Sequence, residues 1–122
     1  MLDDLFDRNL TPTLVLDVLG DHVGADNGIS ARDLVRKIAG ITTAGGERRL
    51  RSIVVALRGA GHAIGGTPET GYFIARTDAE LDATFEFLYS RAMTSLTQIA
   101  AMKRMAMPDL RGQLRLRIGA TQ

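Results

Sequence analysis

The sequence predicts a mainly α-helical protein with one small β-hairpin: three helices, the hairpin, and then a long C-terminal helix. Three observations carry that expectation. Apolar residues recur at helical spacing in three successive stretches between residues 11 and 58, each closed by glycine. Two short runs of strand formers, residues 62–64 and 71–76, flank Gly65-Gly66-Thr67-Pro68-Glu69-Thr70, a loop of residues that favour turns. From residue 78 to about 105, apolar side chains repeat in alternating steps of three and four until Pro108 ends the helix.

Composition limits what such a chain can be. At 122 residues it fits one domain with some chain left for an extension. Hydrophobic content is 45% but aromatic content only 5%, so the core is expected from Leu, Ile, Val, Ala and Met. No run is long enough to cross a membrane, and the acidic start Met1-Leu2-Asp3-Asp4-Leu5-Phe6-Asp7 is not a signal peptide. Without cysteine there is neither a disulfide nor a thiolate metal site, which fits a cytoplasmic location. The net charge of +1 conceals an asymmetry: the chain is −5 over residues 1–33, +5 over 36–58 and +4 over 103–122. Thirteen of the fifteen bases are arginine, the better bidentate ligand for phosphate and base edges, so an anionic partner is expected for the basic middle.

Taken in order, residues 1–10 form an acidic N-terminal segment and residues 11–76 the helical domain with its hairpin. Thr11 caps the first helix with Pro12 in its first position, and Leu14, Val15, Val18 and Leu19 form the apolar stripe. Gly20 or Gly24 closes it, and Asp26-Asn27-Gly28 makes a turn. Ser30 caps a second helix over residues 31–39, with Asp33 at its third position. Leu34, Val35 and Ile38 face inward and Gly40 ends the helix.

The third helix, read over residues 47–58 and stopped by Gly59-Ala60-Gly61, is the centre of the functional reading. Leu50, Ile53, Val54 and Leu57 share one side, and Arg48, Arg51, Ser52 and Val55 the other. Arginine can pair with guanine edges, serine can bond phosphate and valine can touch a thymine methyl, so the outward face suits a DNA major groove. Arg49 and Arg58 flank it as candidate backbone contacts, and Thr67 and Thr70 in the hairpin as contacts to phosphate or the minor groove. A helix followed directly by a hairpin is the arrangement of a winged helix.

Thr77 and Glu80 form a capping box at the start of the long helix, residues 77–106 in all. Leu81, Phe85, Leu88, Ala92, Ser95, Ile99 and Met102 make a coiled-coil-like seam. Its length points to homodimerisation, the alternative being that it folds back over the three-helix core. Residues 107–122 are a basic tail in which Leu114, Leu116 and Ile118 alternate with arginines.

Three resemblances follow from particular residues. Ile38-Ala39-Gly40-Ile41-Thr42, Leu57-Arg58-Gly59-Ala60-Gly61-His62 and Gly71-Tyr72-Phe73-Ile74 are similar to stretches of the winged helix-turn-helix DNA-binding domain of bacterial repressors, notably the biotin-repressor type. That resemblance covers residues 29–74 and implies a recognition helix and a wing. Between Ile41 and Leu50 this chain is about four residues longer than the family pattern, so either the turn is enlarged or the recognition helix starts near Thr43 with two glycines in its first turn. Gln113-Leu114-Arg115-Leu116, with Ile118 beyond, resembles the peptide by which replication proteins bind the bacterial sliding clamp, although Arg117 stands where an aromatic is usual. Finally, the layout, with Arg91-Ala92-Met93-Thr94-Ser95-Leu96-Thr97-Gln98-Ile99 and a tail from Pro108, looks like small proteins of phages and prophages.

Catalysis is not expected. His22 and His62 have no triad spacing, paired metal ligands and phosphate-cradling loops are missing, and Asp3, Asp4 and Asp7 read as an exposed acidic segment. The expectation is therefore a cofactor-free, cytoplasmic DNA-binding regulator of a bacterial or phage-infected cell. The alternative is a replication accessory protein or a protein-interaction winged helix.

Overall fold

The computed structural model describes residues 9–103 and is mainly helical, with four helices and one two-stranded antiparallel hairpin in those residues. Helix α1 (Pro12–Leu19) begins at Thr11, whose hydroxyl accepts the Leu14 amide at 3.2 Å. Val15 and Leu19 are fully buried, but Leu14 is 41% exposed and Leu16 packs inward in its place. At about 100° per residue, the line from Val15 to Leu19 leans toward Leu16 and away from Leu14.

A three-ten turn at Ala25–Asn27 leads to helix α2 (Ala31–Ala39), capped by Ser30 through the Asp33 amide and closed by Gly40 at φ +86°. Leu34, Val35 and Ala39 are buried, and Ile38 packs at the edge of the same cluster. Helix α3 (Ala44–Gly59) starts earlier than residue 47: Thr43 is the cap and Gly45 and Gly46 sit in the first turn. Of the two possibilities left open by the sequence, the helix is extended rather than the turn enlarged. It runs through Gly59 and ends at Gly61 (φ +100°), where the His62 amide bonds the Leu57 carbonyl and the Gly61 amide bonds that of Arg58. This double closure is a Schellman motif, which a left-handed glycine makes possible.

Strands β1 (Ile64–Thr67) and β2 (Gly71–Ile74) pair with Gly65 opposite Phe73 and Gly66 opposite Tyr72. Gly65, Gly66 and Thr67 are therefore strand residues and the turn is shorter than the sequence indicated. The reason is aromatic. A Cβ on Gly65 would lie 2.2 Å from the Phe73 ring, and one on Gly66 would lie 2.8 Å from that of Tyr72, so the two glycines seat the cross-strand rings. Two bridges attach the connection between α1 and α2 to β2: Val23 to Ile74 and Ile29 to Tyr72.

All three helices and the hairpin contribute to one core, including Val15, Leu19, Leu34, Val35, Leu50, Val54, Leu57 and Ile64. Leu10, counted by sequence in the acidic segment, is fully buried there as well. Phe73 is 1% exposed.

The long helix departs from expectation at its start. Residues Asp78–Leu81 form a three-ten turn capped by Thr77, and helix α4 occupies Asp82–Met102. Glu80 does not close a capping box. Its carboxylate accepts the Arg76 amide at 2.7 Å and the Ala25 amide at 2.9 Å instead. The chain divides into two compact units, Met1–Thr84 and Phe85–Gln122. Among the described residues no helix is long and apolar enough to cross a membrane. The expected helix end near Met105, Asp3, Asp4 and Asp7, and the tail residues Gln113, Leu114, Leu116 and Ile118 lie outside the described residues.

Candidate nucleic-acid interface

The outward side of α3 is positioned by what lies beneath it. Leu50, Ile53, Val54 and Leu57 are buried at helical spacing, and this turns Arg48, Arg51, Ser52 and Val55 to solvent. The first turn holds despite its two glycines because the Thr43 hydroxyl accepts the Gly46 amide at 2.8 Å. Gly46 itself is buried, one turn before Leu50 on the same side of the helix.

Six candidate residues of this helix fall into distinct roles. The Arg48 and Arg51 guanidinium groups are exposed and form neither a hydrogen bond nor an ion pair among the described residues. Val55 is 67% exposed, an apolar group that the helix leaves in water. The exposed Ser52 hydroxyl donates back to the Arg48 carbonyl at 3.3 Å, so its proton is engaged within the helix. Arg49 and Arg58 are tied internally. Arg49 Nε donates to the Leu10 carbonyl at 3.1 Å, joining α3 to the chain entering α1. Arg58 Nε donates to the Ile64 carbonyl at 2.8 Å, and half-burial lowers its pKa from the ordinary value although it stays charged.

The hairpin candidates are engaged as well. The Thr70 hydroxyl donates to the Gly71 carbonyl at 2.8 Å and accepts the Thr67 amide at 3.1 Å, while the Thr67 hydroxyl accepts the Thr70 amide at 3.2 Å. With the Thr70 proton directed to Gly71, the 3.2 Å contact between the two hydroxyls is donated by Thr67. In this web neither hydroxyl has a proton to offer phosphate. Pro68 and the carboxylate of Glu69 are what the turn exposes.

Arg32 was counted by sequence with the acidic first third of the chain, yet it is exposed on α2, as are Arg36 and Lys37. Among the described residues the Arg36 guanidinium pairs with Asp33 alone, at 3.7 Å and exposed to solvent, and α2 packs against α3. On the helical wheel Arg32 lies one turn before Val35, at the flank of the buried stripe, where a long charged side chain reaches solvent. A sum of charge along the chain hides it.

The opposite charge has its own arrangement. Arg76 pairs with Glu80 at 3.2 Å and with Asp26 at 3.3 Å. The Ala25 and Arg76 amides, then the Arg76 guanidinium, pull the Glu80 pKa down to about 2. His22 donates from Nδ1 to the Asn27 carbonyl at 2.9 Å, its Nε2 is buried without a hydrogen-bond partner among the described residues, and His62 is exposed. No group of three or more His, Asp or Glu residues able to hold a metal ion occurs among the described residues. Comparison with protein-family models, with curated proteins and with solved structures found no match.

Proposed function

We propose that this chain binds double-stranded DNA sequence-specifically through α3, as a winged helix-turn-helix transcriptional regulator of phage or prophage type. The observation that carries the reading is the pair Arg48 and Arg51: two exposed guanidinium groups without partners among the described residues, on a helix whose opposite face is core. Free arginine forks beside Val55 offer the groups that read guanine edges and a thymine methyl. The order of three helices and a hairpin, with Ile29 bridging Tyr72 of β2, supports the winged-helix assignment. In this reading Arg49 and Arg58 hold α3 at its angle, and the protein acts in the cytoplasm as a homodimer joined through α4, without catalysis or a cofactor.

The wing favours a second role. Its threonine hydroxyls are internally satisfied and Glu69 is repelled by phosphate, so the hairpin tip suits a protein partner better than DNA. A protein-interaction winged helix, using the hairpin or α4 to bind protein, is the alternative that this feature favours. Binding to random duplex at low and high salt tests the primary reading. A DNA reader binds with a steep salt slope, and no binding at low salt refutes it.

A further inference from the structure

Helix α4 keeps its seam in solvent: Phe85 is 57% exposed, Leu88 41%, Ile99 36% and Met102 76%. Ala92 and Ser95, midway along the seam, are exposed too. Side-chain size along this line is mirror-symmetric. Phe85 and Leu88 are large, Ala92 and Ser95 small, Ile99 and Met102 large again.

A helix laid antiparallel on its own copy converts that symmetry into matched layers. Phe85 meets the partner's Met102, Leu88 meets the partner's Ile99, and Ala92 meets the partner's Ser95, so the two backbones come closest at the centre. The positions flanking the seam obey the same symmetry. Asp82 meets the partner's Lys103, Tyr89 (65% exposed) meets the partner's Leu96, and Arg91 meets the partner's Gln98. Asp82 and Lys103 have no ion pair among the described residues. A parallel pair in register would instead set Arg91 beside the partner's Leu96 and Gln98 beside the partner's Lys103, leaving Asp82 and Lys103 without an opposite charge. It would also place the helix dipoles side by side in the same sense, whereas the antiparallel pair opposes them.

We propose that α4 is an antiparallel self-pairing helix, its two-fold axis between Met93 and Thr94, with Asp82 and Lys103 setting direction and register. This rests on the reading that the chain dimerises through α4, and the two fail differently. Sedimentation equilibrium of the full chain tests dimerisation itself: a monomer up to millimolar concentration overturns both. Direction is read by cysteine pairing, because the chain has no cysteine of its own. An equimolar mixture of Leu88→Cys and Ile99→Cys chains, oxidised mildly, should give the mixed disulfide. In the antiparallel register two copies of position 88 are about 16 Å apart along the helices, too far to bridge. Dominant homodisulfides mean a parallel dimer and overturn the proposal while leaving dimerisation intact. Charge reversal provides an arm that spares the apolar seam. Asp82→Lys and Lys103→Asp should each raise the dimer dissociation constant roughly fivefold at low salt, given two exposed pairs per dimer. The double variant should restore it, and a double variant weaker than both singles overturns the register.

Discussion

Replacing Arg48 and Arg51 by alanine should weaken DNA binding without weakening the fold, whereas replacing Arg49 and Arg58 should act first on the stability of the fold. The contrast comes from the bonds that each arginine makes. The Arg48 and Arg51 side chains have no hydrogen bond or ion pair among the described residues and lie on the exposed face, so their truncation should change unfolding free energy by less than about 0.5 kcal/mol. In the complex each is worth about 1–3 kcal/mol if it pairs with guanine, so the double variant should lose roughly 2–6 kcal/mol of specific binding. If either contacts phosphate instead, its removal should lower the logarithmic salt slope by about 0.9. Arg49 and Arg58 each donate from Nε to a backbone carbonyl, at 3.1 Å and 2.8 Å, in part-buried sites. Removing a charged donor there should cost about 1 kcal/mol of stability or somewhat more. Fluorescence anisotropy with a duplex selected from random sequence gives the affinities, and urea unfolding gives the stabilities. Equal losses of affinity across the four arginines, or an Arg48→Ala/Arg51→Ala protein that binds normally, would refute the assignment.

Other consequences are local. Gly65→Ala sets a methyl 2.2 Å from the ring of Phe73, which is 1% exposed and has nowhere to move, so thermal unfolding should register a loss of about 1–3 kcal/mol. Gly66→Ala meets the half-buried Tyr72 ring at 2.8 Å and the Arg58 guanidinium at an ordinary 3.5 Å, and should cost less; the opposite ranking would discredit the seating of rings on glycines. The Glu80 pKa of about 2 lies below the ordinary 4.5, so its contribution is complete above about pH 4.5 and disappears as pH falls toward 2. Glu80→Gln should flatten stability against pH across that window, and a carboxyl carbon titrating near 4.5 by NMR would contradict the bonding described. Thr43→Ala should cost about 1 kcal/mol and speed hydrogen exchange at the first turn of α3, where two glycines already weaken it.

The sequence by itself determined the elements that depend on near neighbours. Thr11 and Ser30 as caps, Gly40 as a terminator, the buried stripes of α2 and α3 and the existence of a hairpin all follow from side chains within a few positions of one another. Helical spacing likewise turned Arg48 and Arg51 outward, because a helix with one apolar side fixes the direction of the other. What tertiary structure decided is which groups find partners distant in the chain. Arg49 bonds Leu10, and Glu80 bonds the Ala25 amide 55 residues away. Gly65 and Gly66, read as turn residues, prove to be strand positions cleared for rings on the opposite strand. Local pattern reports which face a residue occupies. Whether a polar group on that face is already satisfied depends on the backbone that folding brings beside it, and on α3 that contact separates the arginines open to a ligand from those that hold the helix in place.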